Sequence, residues 1–236
     1  MSRFETTRWS LVLQARDAAP AARHALDNLC RVYRPAVIAF VRGRGHAPDD
    51  AEDLAQAFFA RFLEQAWHAD ADPARGRFRT FLLVTLKRFL ADDAVRAHAL
   101  KRGSDVRIES LDADDAVVPA GEDSPELAFQ RAWAVALLHA AIGRLHAEAE
   151  QAGKGALFAT LREFLIEPPD EADYARAAAA LGMRRNTLAV AVHRLRQRLR
   201  ILVESEVEQT TANSGDYAEE MSELHAALGS AGAVAR

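Results

Sequence analysis

One cysteine in 236 residues excludes any disulfide within the chain, and its helical spacing with Leu26, Tyr33 and Val37 makes Cys30 a packing residue rather than a nucleophile. Aromatic residues are few, and no run of alternating β-branched residues occurs, so nothing reads as a sheet. No apolar stretch approaches membrane-spanning length. The opening MSRFETTRWSLVLQARD is broken by charges where a signal peptide needs a continuous apolar core, so a cytoplasmic protein without a membrane segment is expected. Also missing are a glycine-rich phosphate loop, a Gly-x-Ser-x-Gly elbow and a Cys/His pair with a third member. The eight histidines never take the two-per-helix spacing of a zinc protease; His98, His139, His146 and His193 lie in alanine-rich helical segments and read as solvated or packing groups. The chain is expected to be no enzyme and to hold no metal or cofactor.

What is present is hydrophobic content of 50% with abundant alanine, which predicts an all-α protein with real cores. The net charge of -4 hides a division along the chain. Residues 1–99 carry 15 basic and 12 acidic side chains and residues 126–200 carry 11 and 8, so both blocks are basic. Residues 100–125 carry 3 and 7, and residues 201–236 carry 1 and 7. Acid is concentrated in a linker and a tail, leaving two basic blocks suited to a polyanionic partner.

The most informative stretch is DYARAAAALGMRRNTLAVAVHRLRQRLR, residues 173–200. Ala177, Ala178 and Leu181 keep helical spacing, Gly182 supplies a left-handed turn residue, and Met183 and Leu188 resume the pattern, which reads as helix, tight turn, helix. In the second helix Leu188, Val192, Leu195 and Leu199 share a face. The other faces carry Arg184, Arg185, Asn186, Thr187, Val190, His193, Arg194, Arg196, Arg198 and Arg200 with no acid among them, a composition that suits a DNA groove or a solvated basic face.

Taken in order, residues 4–16 predict a short helix and residues 21–44 a longer one on Leu26, Leu29, Tyr33, Val37 and Phe40. Asp49, Asp50, Glu52 and Asp53 open a helix running through Leu54, Phe58, Phe62 and Leu63, with Asp49 and Glu52 near capping-box spacing. Four acids in five residues exceed what capping needs, so Asp50 and Asp53 are candidates to hold a basic partner surface. Residues 67–77 predict a loop. Phe78, Phe81, Leu82, Thr85, Leu86 and Phe89 then follow a helical period among Arg75, Arg77, Arg79, Lys87 and Arg88, either a plain aromatic core or the ring-and-cation mixture of single-strand binding. Residues 99–125 predict a mobile acidic linker between two helical domains. A helix begins near Pro125, another is marked by Leu157, Leu161, Phe164 and Leu165, and Pro168–Pro169 stops it. The tail, 209–236, is polar apart from an acidic amphipathic segment at 216–228.

The order of these parts resembles bacterial sigma factors of the extracytoplasmic-function type within the sigma-70 family. DDAEDLAQAFFARFLE is similar to the region 2 helix that docks on the clamp helices of core RNA polymerase, RGRFRTFLLVTLKRFLADDAVR resembles the promoter-melting stretch, and residues 173–200 resemble region 4. The opening TTRWSLVLQA and the run VAVHRLRQRLR look like a subgroup that often lacks an adjacent membrane anti-sigma factor and is linked in some members to serine/threonine kinases.

The resemblance implies a region 2-like domain over 1–98, an acidic linker over 99–125, a region 4-like helix-turn-helix domain over 126–208 and an acidic tail over 209–236. It implies polymerase contacts at Asp49, Asp50, Asp53 and Gln56, and minus-10 DNA contacts at Arg75, Arg77, Arg79, Lys87 and Arg88 beside a loop that captures a flipped base. Minus-35 contacts fall to Arg184, Arg185, Asn186, Thr187, Val190, His193 and Arg194, with Arg196 and Arg198 at phosphates or the polymerase flap. Partners implied are core RNA polymerase, promoter DNA and an anti-sigma factor or kinase; the acidic tail is a further candidate for control, by covering the basic helices. Two departures stand out: Asn186-Thr187-Leu188-Ala189-Val190-Ala191 lacks two usual basic residues, and Phe81 stands where the family usually has tryptophan. The rival expectations are a helix-turn-helix regulator acting without polymerase and an all-helical adaptor.

Overall fold

The computed structural model describes residues 20–65, 67, 77–103, 124–211 and 213–234. The fold is all-α. Among the described residues there are eight α-helices and no strand: α1 (Pro20–Gly43), α2 (Pro48–Glu64), α3 (Phe78–Gly103), α4 (Pro125–Gln151), α5 (Gly155–Leu161), α6 (Glu171–Leu181), α7 (Arg185–Glu208) and α8 (Ser214–Val234), with a 3-10 turn at Glu163–Leu165. The helix expected over 4–16 and most of the expected loop at 67–77 lie outside the described residues, as does most of the linker over 99–125; α3 itself runs on to Gly103. Two compact units emerge, one taking Met1–Ala136 with Glu208–Arg236, the other Leu137–Val207.

The first unit is built on rings and branched side chains that share helix faces. Tyr33, Val37 and Phe40 of α1, Phe58 and Phe62 of α2, Phe78, Leu82 and Leu86 of α3, and Phe129 and Trp133 of α4 are withdrawn from solvent. Phe58 is the hub, meeting Phe59, Phe62, Trp67 and Phe89 with ring centroids 5.1–6.4 Å apart, edge to face with Phe59 and Phe89 and tilted against Phe62 and Trp67. Glycine is needed where α1 ends: a Cβ on Gly43 would stand 2.9 Å from the Pro125 Cα, so the end of α1 and the start of α4 touch backbone to backbone.

In the second unit, Leu161, Ala177, Leu188 and Val192 form one apolar cluster and Ala141, Ile142, Leu145, Phe158, Leu165, Leu199 and Leu202 another. Helix α6 starts at a reciprocal capping box: Asp173 N donates to Asp170 Oδ1 at 2.7 Å, and Asp170 N donates to Asp173 Oδ2 at 2.9 Å. It ends where Gly182 takes φ 60°, with Met183 N bonded to Ala178 O at 3.0 Å, a Schellman closure that needs the missing side chain. Three residues later α7 begins.

Helix α8 is longer than the segment expected at 216–228. Asn213 Oδ1 accepts from Asp216 N at 2.9 Å and so caps the start, while burial of Glu220, Leu224 and Ala227 supports the helix along its length. Replacing Phe58 by alanine removes the ring that four others pack on, and is expected to lower stability by about 3–5 kcal/mol. Urea denaturation followed by circular dichroism measures this; Leu63→Ala, on the exposed side of α2, should shift the midpoint little.

Candidate nucleic-acid interface

Helix α2 separates its apolar and acidic faces by periodicity alone. Ala51, Ala55, Phe58, Phe59 and Phe62 face inward, which leaves Asp49, Asp50, Asp53 and Gln56 exposed. The expected cap at Asp49 is not made: Ala47 is the N-cap residue with no side-chain bond, because Pro48 occupies the first helical position and sets the entry backbone itself. Glu52, the other half of the expected box, instead pairs with Arg34 of α1. Asp49, Asp50 and Asp53 make no ion pair among the described residues. They form an exposed acidic strip at the positive end of a helix, where negative charge is favoured.

Along α3, closed by Trp67 just beyond α2, lies a cleft of about 240 Å³ lined by Trp67, Phe81, Thr85, Arg88, Phe89 and Asp92. Its lining combines three aromatic rings with one cation, one anion and one hydroxyl, the kinds of group that stack on a flat heterocycle and bond to its edge. Phe81 meets Phe62 and Phe78 at 6.3 and 6.4 Å, so the ring at this position serves core and cleft together.

The five basic residues read from this stretch separate in space. Arg75 lies outside the described residues. Arg88 is exposed at the cleft. Lys87 Nζ is 2.6 Å from Glu126 of α4, whose hydrogen bond holds that carboxyl below its usual range. Arg77 and Arg79 turn toward α8. Arg79 is buried, with Nε and Nη2 each 3.0 Å from a different oxygen of Glu220, itself fully buried, and a further bond to Glu223. Arg77 Nη1 donates to Glu220 at 3.0 Å and to Glu223 at 2.7 Å, and its other amine lies 3.7 Å from Glu219. The Arg79 guanidinium also stacks on Trp133, 4.4 Å from the ring centroid. Burial beside the Glu220 carboxylate pushes the neighbouring Tyr33 phenol far above its ordinary value, keeping it neutral.

In the second unit the outward side of the α6–turn–α7 segment carries Arg184, Asn186, Thr187, Val190, His193 and Arg194, all exposed. Arg185 is exposed too, but Glu171 at the start of α6 holds it bidentately and Tyr174 lies under it, 5.9 Å from ring centroid to guanidinium. That pairing lowers the Glu171 carboxyl and raises Arg185. Arg196 is spent on the fold, donating to the carbonyls of Phe164 at 2.8 Å and Glu167 at 3.1 Å, and Arg198 is forked onto Glu148 at 2.8 and 2.6 Å.

The partners Glu220, Glu223 and Glu171 were not among the residues singled out from sequence, and Trp133 was read only as an apolar residue of the helix that begins near Pro125. One trace of the first two was available, the carboxylates at 219, 220 and 223 on a single helical face. No described helix is long and apolar enough to cross a membrane, and no three His, Cys, Asp or Glu side chains converge on a metal position among the described residues.

Residues 29–101, which span most of α1 together with α2 and nearly all of α3, match the family model for sigma-70 region 2, less than a third of the chain. This part of the protein carries a domain of the sigma-70 region 2 kind. No curated protein and no solved structure matches the chain.

The ion-pair network sets a pH response. Burial alone would raise the Glu223 carboxyl, but bonds from Arg79 and Arg77 outweigh it and hold the group below its ordinary 4.5. A carboxyl lowered in the folded state stabilises fully above the unfolded value and loses that contribution as pH falls through the folded one. The urea midpoint is therefore expected to drop as pH falls from about 5 toward 3, with a smaller drop in Glu223→Gln, whose side chain no longer titrates.

Proposed function

We propose that this chain is an alternative sigma factor of the extracytoplasmic-function type, a non-catalytic factor that binds core RNA polymerase and directs initiation at particular promoters. The observation that carries the reading is that the region 2 match falls on the helices that bear both the unpaired acidic strip and the aromatic cleft. Asp49, Asp50, Asp53 and Gln56 meet the basic clamp helices of the polymerase. An unpaired base of the minus-10 strand enters the cleft between Trp67, Phe81 and Phe89, where stacking offsets the few kcal/mol spent on unpairing. Arg75, Arg77, Arg79, Lys87 and Arg88 hold the backbone of that strand.

The portion within residues 126–208 reads duplex DNA. Helix α7 enters the major groove with Arg184 just before it, Arg185, Asn186 and His193 toward base edges, Ala189 and Val190 against thymine methyl groups, Thr187 beside them and Arg194 at phosphate. Arg185 is held in the free protein and exchanges Glu171 for a base. An anti-sigma factor or a kinase is the expected source of control. The separate core of the α6–turn–α7 segment also suits a regulator that binds duplex DNA without polymerase, and the same experiment separates the two.

Promoter-specific transcription with core polymerase is the test. Wild type should bind core and start at defined sites; Asp53→Ala should weaken core binding about tenfold, and Arg185→Ala should lower promoter selectivity about tenfold with core binding intact. A chain that never binds core but holds duplex DNA alone supports the regulator. Freeing Arg185 with Glu171→Gln should tighten duplex binding about threefold or more, with a steeper salt dependence, in fluorescence anisotropy.

A further inference from the structure

Two of the arginines that the promoter reading requires are already occupied. Every strong bond of Arg77 and Arg79 described above goes to a carboxylate of α8. The same guanidinium hydrogens cannot serve these carboxylates and a phosphate at once, so α8 and a nucleic-acid strand exclude each other at this position.

The contact is built more from charge than from apolar burial. Among the described residues of α8 only Leu224 and Ala227 are buried apolar side chains, whereas α3 buries Phe78, Leu82, Leu86, Phe89 and Leu90. The helix carries Asp216, Glu219, Glu220 and Glu223 and no lysine or arginine between 214 and 234. It sets anionic oxygens in a row opposite cations, as a nucleic-acid backbone does. On the receiving side the Arg79 guanidinium also stacks on Trp133 of α4, a contact to which α8 contributes no atom.

We propose that Arg77, Arg79 and Trp133 form an anion-binding socket whose resting occupant is α8, and that a single-stranded nucleic acid displaces the helix, so the chain inhibits itself until it is assembled on polymerase. The proposal rests on the sigma-factor reading. Displacement gains from the counterions a strand releases and from the high local concentration of melted DNA on the enzyme. A helix docked nine-tenths to ninety-nine hundredths of the time lowers apparent strand affinity about ten- to hundredfold.

The full chain tests this, with Glu219→Gln/Glu223→Gln as the variant, because Glu220 then stays on the buried Arg79 and the fold is kept. A labelled single-stranded oligodeoxynucleotide of mixed sequence should bind the variant about five- to tenfold more tightly than wild type. The same loss of charge at the exposed Glu64 and Glu163 should change affinity by no more than about twofold. Amide hydrogen exchange over residues 214–234 should quicken at least about tenfold when wild type forms the promoter complex with core polymerase. Equal affinity of variant and wild type, an equal gain in the Glu64/Glu163 control, or α8 protection unchanged in the promoter complex each overturns the proposal. If core binds and α8 stays protected, the self-inhibition alone falls; if core never binds, the sigma-factor reading falls and takes the proposal with it.

Discussion

An arginine and a glutamate taken out of water together govern the first unit. Burying either charge alone costs several kcal/mol, and the attraction between them repays this only with good geometry and further bonds. Arg79 and Glu220 meet that condition through two parallel hydrogen bonds, the Trp133 ring beneath the guanidinium, and Arg77 as a second donor to Glu220. Loss of one partner strands the other, at about 3–5 kcal/mol, whereas an apolar pair of similar shape would cost little. The same rotation and register of α8 that bring Glu220 onto Arg79 also bury Leu224 and Ala227, so charge and apolar burial select one placement of the helix together.

The charge pattern of the whole chain takes its meaning from this contact. A strongly acidic stretch after residue 200 and a basic block before residue 100 are opposite in sign, and part of that opposition is spent inside the protein. Lys87 with Glu126, and Arg185 with Glu171, repeat the arrangement on a smaller scale. Three of the cations assigned to DNA, Arg77 just before α3 and Arg79 and Lys87 on it, are thus neutralised by nearby acids, while the carboxylates assigned to polymerase at Asp49, Asp50 and Asp53 make no ion pair among the described residues. Net charge along the sequence described the supply of each sign without saying which charges were left for a partner.

Local signals were legible. The 3.6-residue period of Leu188, Val192, Leu195 and Leu199, the turn glycine at 182 and the helix start at Pro125 are written within a few residues of the features they produce. So is the aromatic face of α3, whose rings supply core and cleft alike. What could not be read was pairing at long range, since nothing near Arg79 announces a carboxylate on another helix far along the chain. The expected cap on α2 failed for a different reason: acids three apart fit a capping box, but the proline just before them already sets the helix entry. The capping box that does form begins at Asp170, immediately after the two prolines that had marked only an end.

The distance between Arg79 and Glu220 along the chain is 141 residues. A ribosome adding about 5–20 residues per second delivers the glutamate roughly 7–28 s after the arginine. Through that interval α1, α2 and α3 exist as a nascent segment whose central cation, Arg79, lacks its carboxylate partner, and Trp133 joins it only with α4. The part of the protein made first is the part whose folding is completed last.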